Sequence, residues 1–136
     1  MVTSMILSRY SGEIPDGMGE RKISDGPLYP DVVDIIDKCR INPWTRKCIS
    51  NLQELSMDQD DVRDWIIRAV NEGRYLGSEW CQGTREGVWA ACDAYSLVDT
   101  AWNENAGKEL SCKYYIKFFI NRDGTVVMTV SFHLST

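Results

Sequence analysis

The stretch "KYYIKFFINRDGTVVMTVSFH", residues 113–133, decides the fold because it predicts two antiparallel strands joined by a turn. Successive residues of a strand point to opposite faces, so each of these strands presents one apolar face. The apolar residues are Tyr114, Ile116, Phe118 and Ile120 in the first strand and Val126, Met128, Val130 and Phe132 in the second. This stretch therefore predicts a C-terminal β-hairpin with one face against a core.

The length of the turn sets the register of this hairpin. A two-residue turn at Asp123 and Gly124 would set the apolar residues against the wrong face. A three-residue loop from Arg122 to Gly124 instead pairs Ile116 with Val130, and the two apolar faces coincide. We therefore predict the three-residue loop, with Gly124 left-handed in a G1 bulge.

The opposite face of the predicted hairpin is polar and holds the chain's only histidine. In this register Lys113 lies opposite His133, and the apolar residues Phe119 and Val127 fall on the same face. Two interpretations are open: a solvated outer face of a two-layer domain, or a functional surface. The polar residues are Lys113, Tyr115, Lys117, Thr129, Ser131 and His133.

The first part of the chain predicts helices after an irregular lead-in. Residues 1–29 carry glycines and prolines with no sustained period and predict an extended arm, and residues 30–136 are predicted as one domain. From Asp31 to Cys39 the apolar residues recur at helical spacing, and Pro43 limits that helix.

Two further helices follow. Ser50 and Gln53 are spaced as a capping box for a short helix through Leu55. Asp58 is placed to cap a longer amphipathic helix, and Gly73 is placed to end it in a left-handed conformation.

The segment "EGVWAACDAY" (86–95) predicts a strand, and "SLVDTAWNENAGKEL" (96–110) predicts a loop. Helices first and strands afterwards predict an α+β fold, with helices packed on one face of a small antiparallel sheet that ends in the hairpin.

Composition limits the function. A chain of 136 residues with 43% hydrophobic residues is long enough for one domain. A net charge of -5 excludes a protein that coats nucleic acid by overall positive charge, so a nucleic-acid role requires a local basic patch. The five cysteines form no C-x-x-C spacing, and no signal peptide or membrane-spanning run is evident. We expect reduced thiols, no metal or organic cofactor, and a cytoplasmic location.

Several segments, in order, resemble the MqsR family of toxins from toxin–antitoxin systems. They are "TRKCISNLQELSMD" (45–58), the amphipathic helix, the aromatic Tyr75, a Trp89 strand that ends in "DAY", the motif "YYIK", and "VSFH" near the end. The resemblance spans residues 30–136. It implies a RelE-like microbial RNase architecture, cleavage of mRNA without a metal, and a cognate antitoxin as partner.

The resemblance also implies site residues. Tyr115 and Lys117 match the tyrosine and lysine of the family's penultimate strand, His133 stands where the family has a lysine, and Tyr75 matches its aromatic residue. The chain departs from the family in three ways: Leu76 replaces a lysine, "AAC" stands in place of a single glutamine between Trp89 and "DAY", and the net charge is acidic.

Metal-free RNA cleavage needs a proton acceptor, a proton donor and groups that stabilise negative charge. We predict His133 as the proton carrier, because histidine ionises near neutral pH. We predict Tyr115 and Lys117 as its catalytic partners. The predicted RNA-binding residues are Arg74, Tyr75, Lys113 and Tyr95. Arg74 has an alternative role, in which its charge complements the C-terminal dipole of the preceding helix. Tyr95 also has an alternative role, as a residue that ends its strand.

Two functions stay open from the sequence. The first is a sequence-selective mRNA endoribonuclease that a cognate antitoxin neutralises. The second is an acidic, catalytically inactive relative that acts by binding a protein partner.

Overall fold

The computed structural model describes residues 4–15, 19–83 and 85–135. Over these residues the chain forms a mixed α/β fold, with a seven-stranded sheet, three α-helices and one 3-10 turn. The strands are β1 (Met5–Ile6), β2 (Lys22–Ile23), β3 (Arg40–Pro43), β4 (Arg74–Gln82), β5 (Val88–Asn103), β6 (Lys108–Ile120) and β7 (Val126–Leu134). The helices are α1 (Val32–Ile35), α2 (Arg46–Glu54) and α3 (Gln59–Glu72), and the 3-10 turn is Ile36–Lys38.

The sheet has the order β2-β4-β5-β6-β7-β3, and β1 adds to the start of β5. The neighbours from β2 to β7 are antiparallel, whereas β3 runs parallel to β7 and β1 parallel to β5. Strands β5 and β6 are the longest and form the centre of the sheet. The predicted antiparallel sheet with a C-terminal hairpin is therefore present, with short parallel additions.

Helix α3 covers one face of the sheet, which we call the helix-covered face. Its buried residues Val62, Ile66 and Ala69 recur at helical spacing and pack into the main core. The Trp65 ring lies 4.4 Å from that of Tyr114 and 5.9 Å from that of Phe132, measured between centroids. The amphipathic pattern thus fixes which face of the hairpin is buried.

The predicted N-terminal cap of α3 is confirmed, and its predicted C-terminal conformation is wrong. The Asp58 carboxylate accepts a hydrogen bond from the backbone N–H of Asp61, and the Asp61 carboxylate accepts one from that of Asp58. Gly73 ends the helix with φ at -83°, which is not left-handed. A Cβ at Gly73 would clash with the carbonyl oxygens of Ala69 and Ser96, so close backbone approach favours glycine here.

The two earlier helices differ from prediction. The helix from Asp31 shortens to α1 and the 3-10 turn, after which β3 pairs with β7. Helix α2 begins after Thr45, whose Oγ1 accepts a hydrogen bond from the N–H of Cys48 at 3.0 Å. Ser50 lies inside this helix, so the predicted capping box at Ser50 and Gln53 is wrong.

The predicted loop over residues 96–110 is wrong. Strand β5 continues to Asn103 and β6 begins at Lys108, and the two pair along this whole length. The pairing of β5 with β4 ends at Ser96, and the pairing of β6 with β7 ends at Tyr114. Residues 98–113, which we call the β5–β6 arm, therefore form a two-stranded extension beyond the other strands.

The hairpin of β6 and β7 is confirmed, and so is the left-handed Gly124, with φ at 71°. The predicted three-residue loop is wrong, because the Asn121 side chain holds a longer one. Its Oδ1 accepts hydrogen bonds from the backbone N–H groups of Thr125, at 2.9 Å, and Val126, at 3.0 Å. Ile120 consequently pairs with Val127.

A β-bulge then shifts the register by one residue. Phe118 pairs with Thr129 and Lys117 with Ser131, so Val130 is the extra residue. Beyond the bulge His133 lies opposite Tyr115, and the predicted pairing of His133 with Lys113 is wrong. Thr129 faces the helices with Phe118 rather than joining the predicted polar face, and Val127 also lies on the helix-covered face, because the longer loop shifts the register of both residues by one.

The predicted lead-in contacts the domain closely. Residues 1–3 and 16–18 lie outside the described part, and the remainder supplies β1 and β2 to the sheet. The fully buried Asp93 carboxylate accepts hydrogen bonds from the N–H groups of Leu28 and Tyr29 and from the Ser78 hydroxyl. Asp93 thus anchors the segment that leads into α1.

Candidate functional site

The sheet face opposite α3, the outer face, brings most of the predicted site residues together. Arg74 pairs with Ser96, Ser96 with Tyr115, and Tyr115 with His133, so these four residues form one row across four strands. In the next row Lys117 pairs with Ser131. We call this surface the outer-face patch: Arg74, Ser96, Tyr115, Lys117, Ser131 and His133.

The Tyr115 and His133 rings stack at the centre of this patch. Their centroids are 5.2 Å apart and their planes differ by 19°. His133 Nδ1 lies 3.1 Å from the carbonyl oxygen of Leu134. Because a carbonyl oxygen only accepts hydrogen bonds, this contact favours the tautomer with the proton on Nδ1. The Nε2 lone pair of neutral His133 is then free to accept a proton.

Lys117 forms an ion pair that the sequence did not indicate. Its Nζ donates a hydrogen bond to Glu79 Oε1 at 2.8 Å, and its side chain is 14% exposed. Burial acts to lower the pKa of Lys117, but the hydrogen bond to Glu79 and nearby groups outweigh it, and the pKa is raised above its usual value. Lys117 is therefore a fixed positive charge at the edge of the patch.

Burial raises the pKa of the Tyr115 phenol, although the neighbouring Lys117 acts to lower it. A tyrosine with a raised pKa keeps its proton at neutral pH. Tyr115 is thus a hydrogen-bond donor beside a histidine and a fixed cation.

Small side chains leave room above the sheet at this patch. Gly77 and Ala94 lie in the row of Lys117, and a shallow cleft of about 270 Å³ opens beside Tyr115. Leu76, 46% exposed, lines this cleft at a β-bulge in β4. A second cleft of about 220 Å³ lies between α2 and β7 and reaches His133. His133 and Tyr115 therefore each border a cleft large enough for part of a nucleotide.

The patch is surrounded by cations despite the acidic composition. By register, Lys22 and Lys113 lie on the outer face with Arg74 and Lys117, and Lys47 of α2 lines the cleft beside His133. Adjacent strands are about 4.8 Å apart, so Arg74 starts about 10 Å from Tyr115. This is a local basic surface of the kind that an acidic nucleic-acid-binding protein requires.

The structure does not bring Tyr75 and Tyr95 to this patch. Tyr95 pairs with Ile116 on the helix-covered face, is 4% exposed and stacks on Phe118. Burial, with Asp93 and Tyr75, raises the pKa of Tyr95 to about 12. Tyr75 packs against Tyr95 and its hydroxyl bonds to that of Ser78. The sheet therefore separates these two predicted RNA-binding residues from Tyr115.

Sequence reasoning missed Glu79, because β4 itself was not predicted. The segment "RYLGSEWCQ" (74–82) contains a bulge between Tyr75 and Gly77, which breaks the simple alternation that marks a strand. After Gly77 the alternation returns, and it would have placed Glu79 on the face opposite Ser78 and Trp80.

The rest of the outer face is closed. Near the turn, the Trp44 ring meets Phe119 edge-on at 5.1 Å, and Leu7 borders the same region. Cys92 is fully buried on this face, and burial raises the pKa of its thiol, which fits a structural role better than a nucleophilic one. Among the described residues, the open part of the outer face comprises the patch, the cleft beside Tyr115 and the β5–β6 arm.

Comparison of this chain with family models, with curated proteins and with solved structures found no match. The resemblance to the MqsR toxins therefore depends on the motifs in the sequence. None of the helices in residues 4–15, 19–83 and 85–135 has the length and apolar character needed to cross a membrane.

Proposed function

We propose that this chain is a metal-independent endoribonuclease of RelE-like architecture, which cleaves mRNA by attack of the ribose 2′-hydroxyl. One observation carries the proposal: the stacked pair of Tyr115 and His133 lies one row from the fixed cation Lys117, on the uncovered face of the sheet. A proton acceptor, a proton donor and a positive charge are thereby side by side, as the reaction demands.

In the proposed reaction, His133 Nε2 takes the proton of the 2′-hydroxyl as its oxygen attacks the adjacent phosphorus. The bond from phosphorus to the 5′-oxygen of the next nucleotide breaks, and Tyr115 supplies the proton that this oxygen takes up. The products are a 2′,3′-cyclic phosphate and a 5′-hydroxyl. Proton exchange with water then restores both side chains.

Lys117 and Arg74 stabilise the charge that develops on the phosphate. In the proposed complex Lys117 donates a hydrogen bond to a phosphate oxygen, and Arg74, at the end of the row of Tyr115 and His133, binds two oxygens with its planar group. Lys113 and Lys47 extend the positive surface along the RNA backbone.

The MqsR-like motifs support a particular biological setting, which belongs to the same proposal. The chain is the toxin of a toxin–antitoxin pair, acts on mRNA in the cytoplasm, and is inhibited by a cognate antitoxin protein. An antitoxin that covers the outer-face patch would block both clefts at once.

The test is incubation of the purified chain with mixed single-stranded RNA in EDTA, followed by mapping of the cut ends. We expect 2′,3′-cyclic phosphate ends, lost in His133→Ala and strongly reduced in Tyr115→Phe. Tyr114→Phe is the matched control, because Tyr114 is the neighbouring tyrosine on the helix-covered face and its ring stays in place beside Trp65. Intact RNA, both alone and with translating ribosomes, would refute the proposal, as would cleavage that both variants retain.

A second function, a protein-binding module without catalysis, is favoured by the β5–β6 arm. Its Val98 and Trp102 are 56% and 63% exposed and share one face of the arm, whereas Leu110, which is also exposed, lies on the other face. Large apolar residues exposed on one face are a feature of protein interaction surfaces. The same RNA experiment separates the two functions, because a binding module leaves RNA intact in every variant.

A further inference from the structure

Two cysteines with free thiols lie close together on the outer face, where β4 runs beside β5. Cys81 pairs directly with Ala90, and Cys92 lies two residues further along β5 on the same face, so the two cysteines are diagonal neighbours. The Cys92 thiol donates a hydrogen bond to the carbonyl oxygen of Ala90 at 3.6 Å. This bond turns the Cys92 sulfur along β5 toward the residue that faces Cys81.

The two thiols differ in their contact with solvent. Cys81 is 9% exposed, whereas Cys92 is fully buried. Cys81 also lies one residue before the end of β4 at Gln82. A small oxidant from solvent can therefore reach Cys81 of this pair, and it can oxidise Cys92 only through Cys81.

Lys117 places a positive charge beside this pair. Its Nζ bonds to Glu79, which lies two residues from Cys81 on the same face and directly opposite Cys92. The hydrogen bond with the Cys92 thiol lowers the pKa of the Cys81 thiol, burial acts to raise it, and the charge of Lys117 lowers it further. Cys81 is therefore the member of the pair that more readily forms the thiolate, which is the form that reacts with oxidants.

We propose that Cys81 and Cys92 form a redox site that hydrogen peroxide converts to a disulfide. In the first step the Cys81 thiolate attacks one peroxide oxygen, the O–O bond breaks, and Cys81 becomes a sulfenic acid while the leaving hydroxide takes up a proton to form water. In the second step the Cys92 sulfur attacks the sulfenic sulfur and the S–O bond breaks. The hydroxide that leaves takes the Cys92 proton and forms a second water.

The burial of Cys92 fits its role in the second step. Cys92 is too buried to attack a molecule from solvent, but in this step its target is the neighbouring sulfur of Cys81. Over the two steps the pair of thiols loses two electrons, and the peroxide is reduced to two water molecules. A low-pKa thiol in contact with solvent, next to a second cysteine, is the arrangement found in redox-sensing sites.

The diagonal placement predicts a disulfide that is easily reduced. Cβ atoms of diagonal neighbours in a sheet are up to about 7 Å apart, whereas those of an unstrained disulfide are about 4 Å apart. The bond therefore requires a local movement of β4, close to its end at Gln82. Strain makes a disulfide more reducible, and strained disulfides are often regulatory. The site is thus suited to reversible oxidation rather than to a permanent cross-link.

The test uses the full chain with Cys112→Ser, because the exposed Cys112 would otherwise form disulfides between molecules. The protein is treated with hydrogen peroxide, the remaining thiols are alkylated after unfolding, and the tryptic peptides are identified by mass spectrometry. Trypsin cleaves after Arg85, between the two cysteines, so a disulfide of Cys81 with Cys92 joins two peptides. We expect this linked pair of peptides, and dithiothreitol should separate it.

Four variants test the order of the steps and the role of the charge. In Cys92→Ala the sulfenic acid of Cys81 should accumulate and react with dimedone, whereas in Cys81→Ala the Cys92 thiol should stay reduced. Lys117→Gln should slow the oxidation of Cys81 several-fold. Lys113→Gln removes a cation from the same strand and the same face, and it should leave the rate unchanged.

Cys39 and Cys48 are internal controls, because both are buried and burial raises the pKa of both thiols. Cys81 should lose its thiol at least about tenfold faster than either of them. Absence of the disulfide between Cys81 and Cys92 after peroxide treatment would overturn the proposal. Oxidation of Cys92 in the Cys81→Ala variant would also overturn it, because Cys92 would then react without its partner.

Discussion

The two faces of the sheet use the same strands for opposite purposes. On the helix-covered face, Tyr95, Phe118 and Phe132 are buried and make ring contacts that hold the domain together. On the outer face, Tyr115 and His133 also make a ring contact, but it is half exposed and has cations around it. Aromatic residues one position apart in sequence, such as Phe132 and His133, are thus packed on one face and partly exposed on the other.

The difference comes from what covers each face. Helix α3 excludes water from one side, so polar groups there are anchored, as Asp93 is by backbone N–H groups. On the other side Trp44 and Leu7 cover only the end near the turn, and the patch keeps its contact with solvent. The comparison predicts that mutations on the two faces affect different properties: stability on one face, RNA cleavage on the other.

The largest expected effect is on the outer face. His133→Ala should lower the RNA cleavage rate by about 100-fold or more, the usual contribution of a general base, and leave the free energy of unfolding nearly unchanged. Single-turnover assays measure the cleavage rate, and a separate denaturant titration measures the free energy of unfolding. Ser131→Ala, in the next row of the same strand, is the control, and an equal loss in both variants would contradict a specific role for His133.

On the helix-covered face, Asp93→Ala should lower the free energy of unfolding by about 3 kcal/mol, because it leaves buried N–H groups without an acceptor. Urea unfolding measures the change. Asp99→Ala breaks the partly exposed ion pair with Arg68 and should lower the free energy of unfolding by less than about 1 kcal/mol. A smaller loss for Asp93→Ala than for Asp99→Ala would show that the carboxylate is not the anchor of residues 28 and 29.

Alkaline pH should destabilise the helix-covered face through Tyr95. The pKa of Tyr95 is raised to about 12, so its protonated form is favoured in the folded state and its contribution to stability is lost as pH rises above about 10. Tyr95→Phe removes this titration. Between pH 9 and pH 11 the free energy of unfolding should therefore fall by about 1.4 kcal/mol more in the natural chain than in the variant. Parallel pH dependences of the two unfolding free energies would place Tyr95 in contact with solvent.

A smaller effect should come from the ion pair on the outer face. Glu79→Gln removes the negative charge that Lys117 now faces and should tighten RNA binding a few-fold, more at low salt than at high salt. Filter binding with a non-cleaved RNA analogue, in the His133→Ala background, measures the affinity. Glu109→Gln on the β5–β6 arm is the matched control. An equal increase in RNA affinity in both variants would mean that the net charge of the chain, and not the ion pair with Lys117, sets the affinity.

The smallest change in stability is expected on the β5–β6 arm. Trp102→Ser should alter the free energy of unfolding by less than about 0.5 kcal/mol, because Trp102 is 63% exposed. Thermal unfolding gives the value. A loss of several kcal/mol would instead show that the arm folds back onto the domain, and the contrast between the arm and the packed faces would fail.

The sequence by itself determined the elements whose own residues are sufficient to define them. The apolar stripe of α3 and its cap at Asp58 lie within one short segment, and so do the alternating strands of the hairpin and the left-handed Gly124. Tyr115, Lys117 and His133 were identified as neighbours on one polar face for the same reason. The β5–β6 arm was missed because a ribbon exposed on both faces has no buried side to produce a periodic pattern.

Only the tertiary structure decided the contacts between distant segments. The Asn121 side chain and the bulge at Val130 set the register, and that register pairs His133 with Tyr115 rather than Lys113. The ion pair of Lys117 with Glu79 joins strands that are not adjacent in the sheet, and the buried ring of Tyr95 packs against Tyr75 and Phe118 of the two neighbouring strands. Periodicity specifies which residues share a face, but the register and the covering elements specify which of them meet, because those depend on packing energies summed over the whole core.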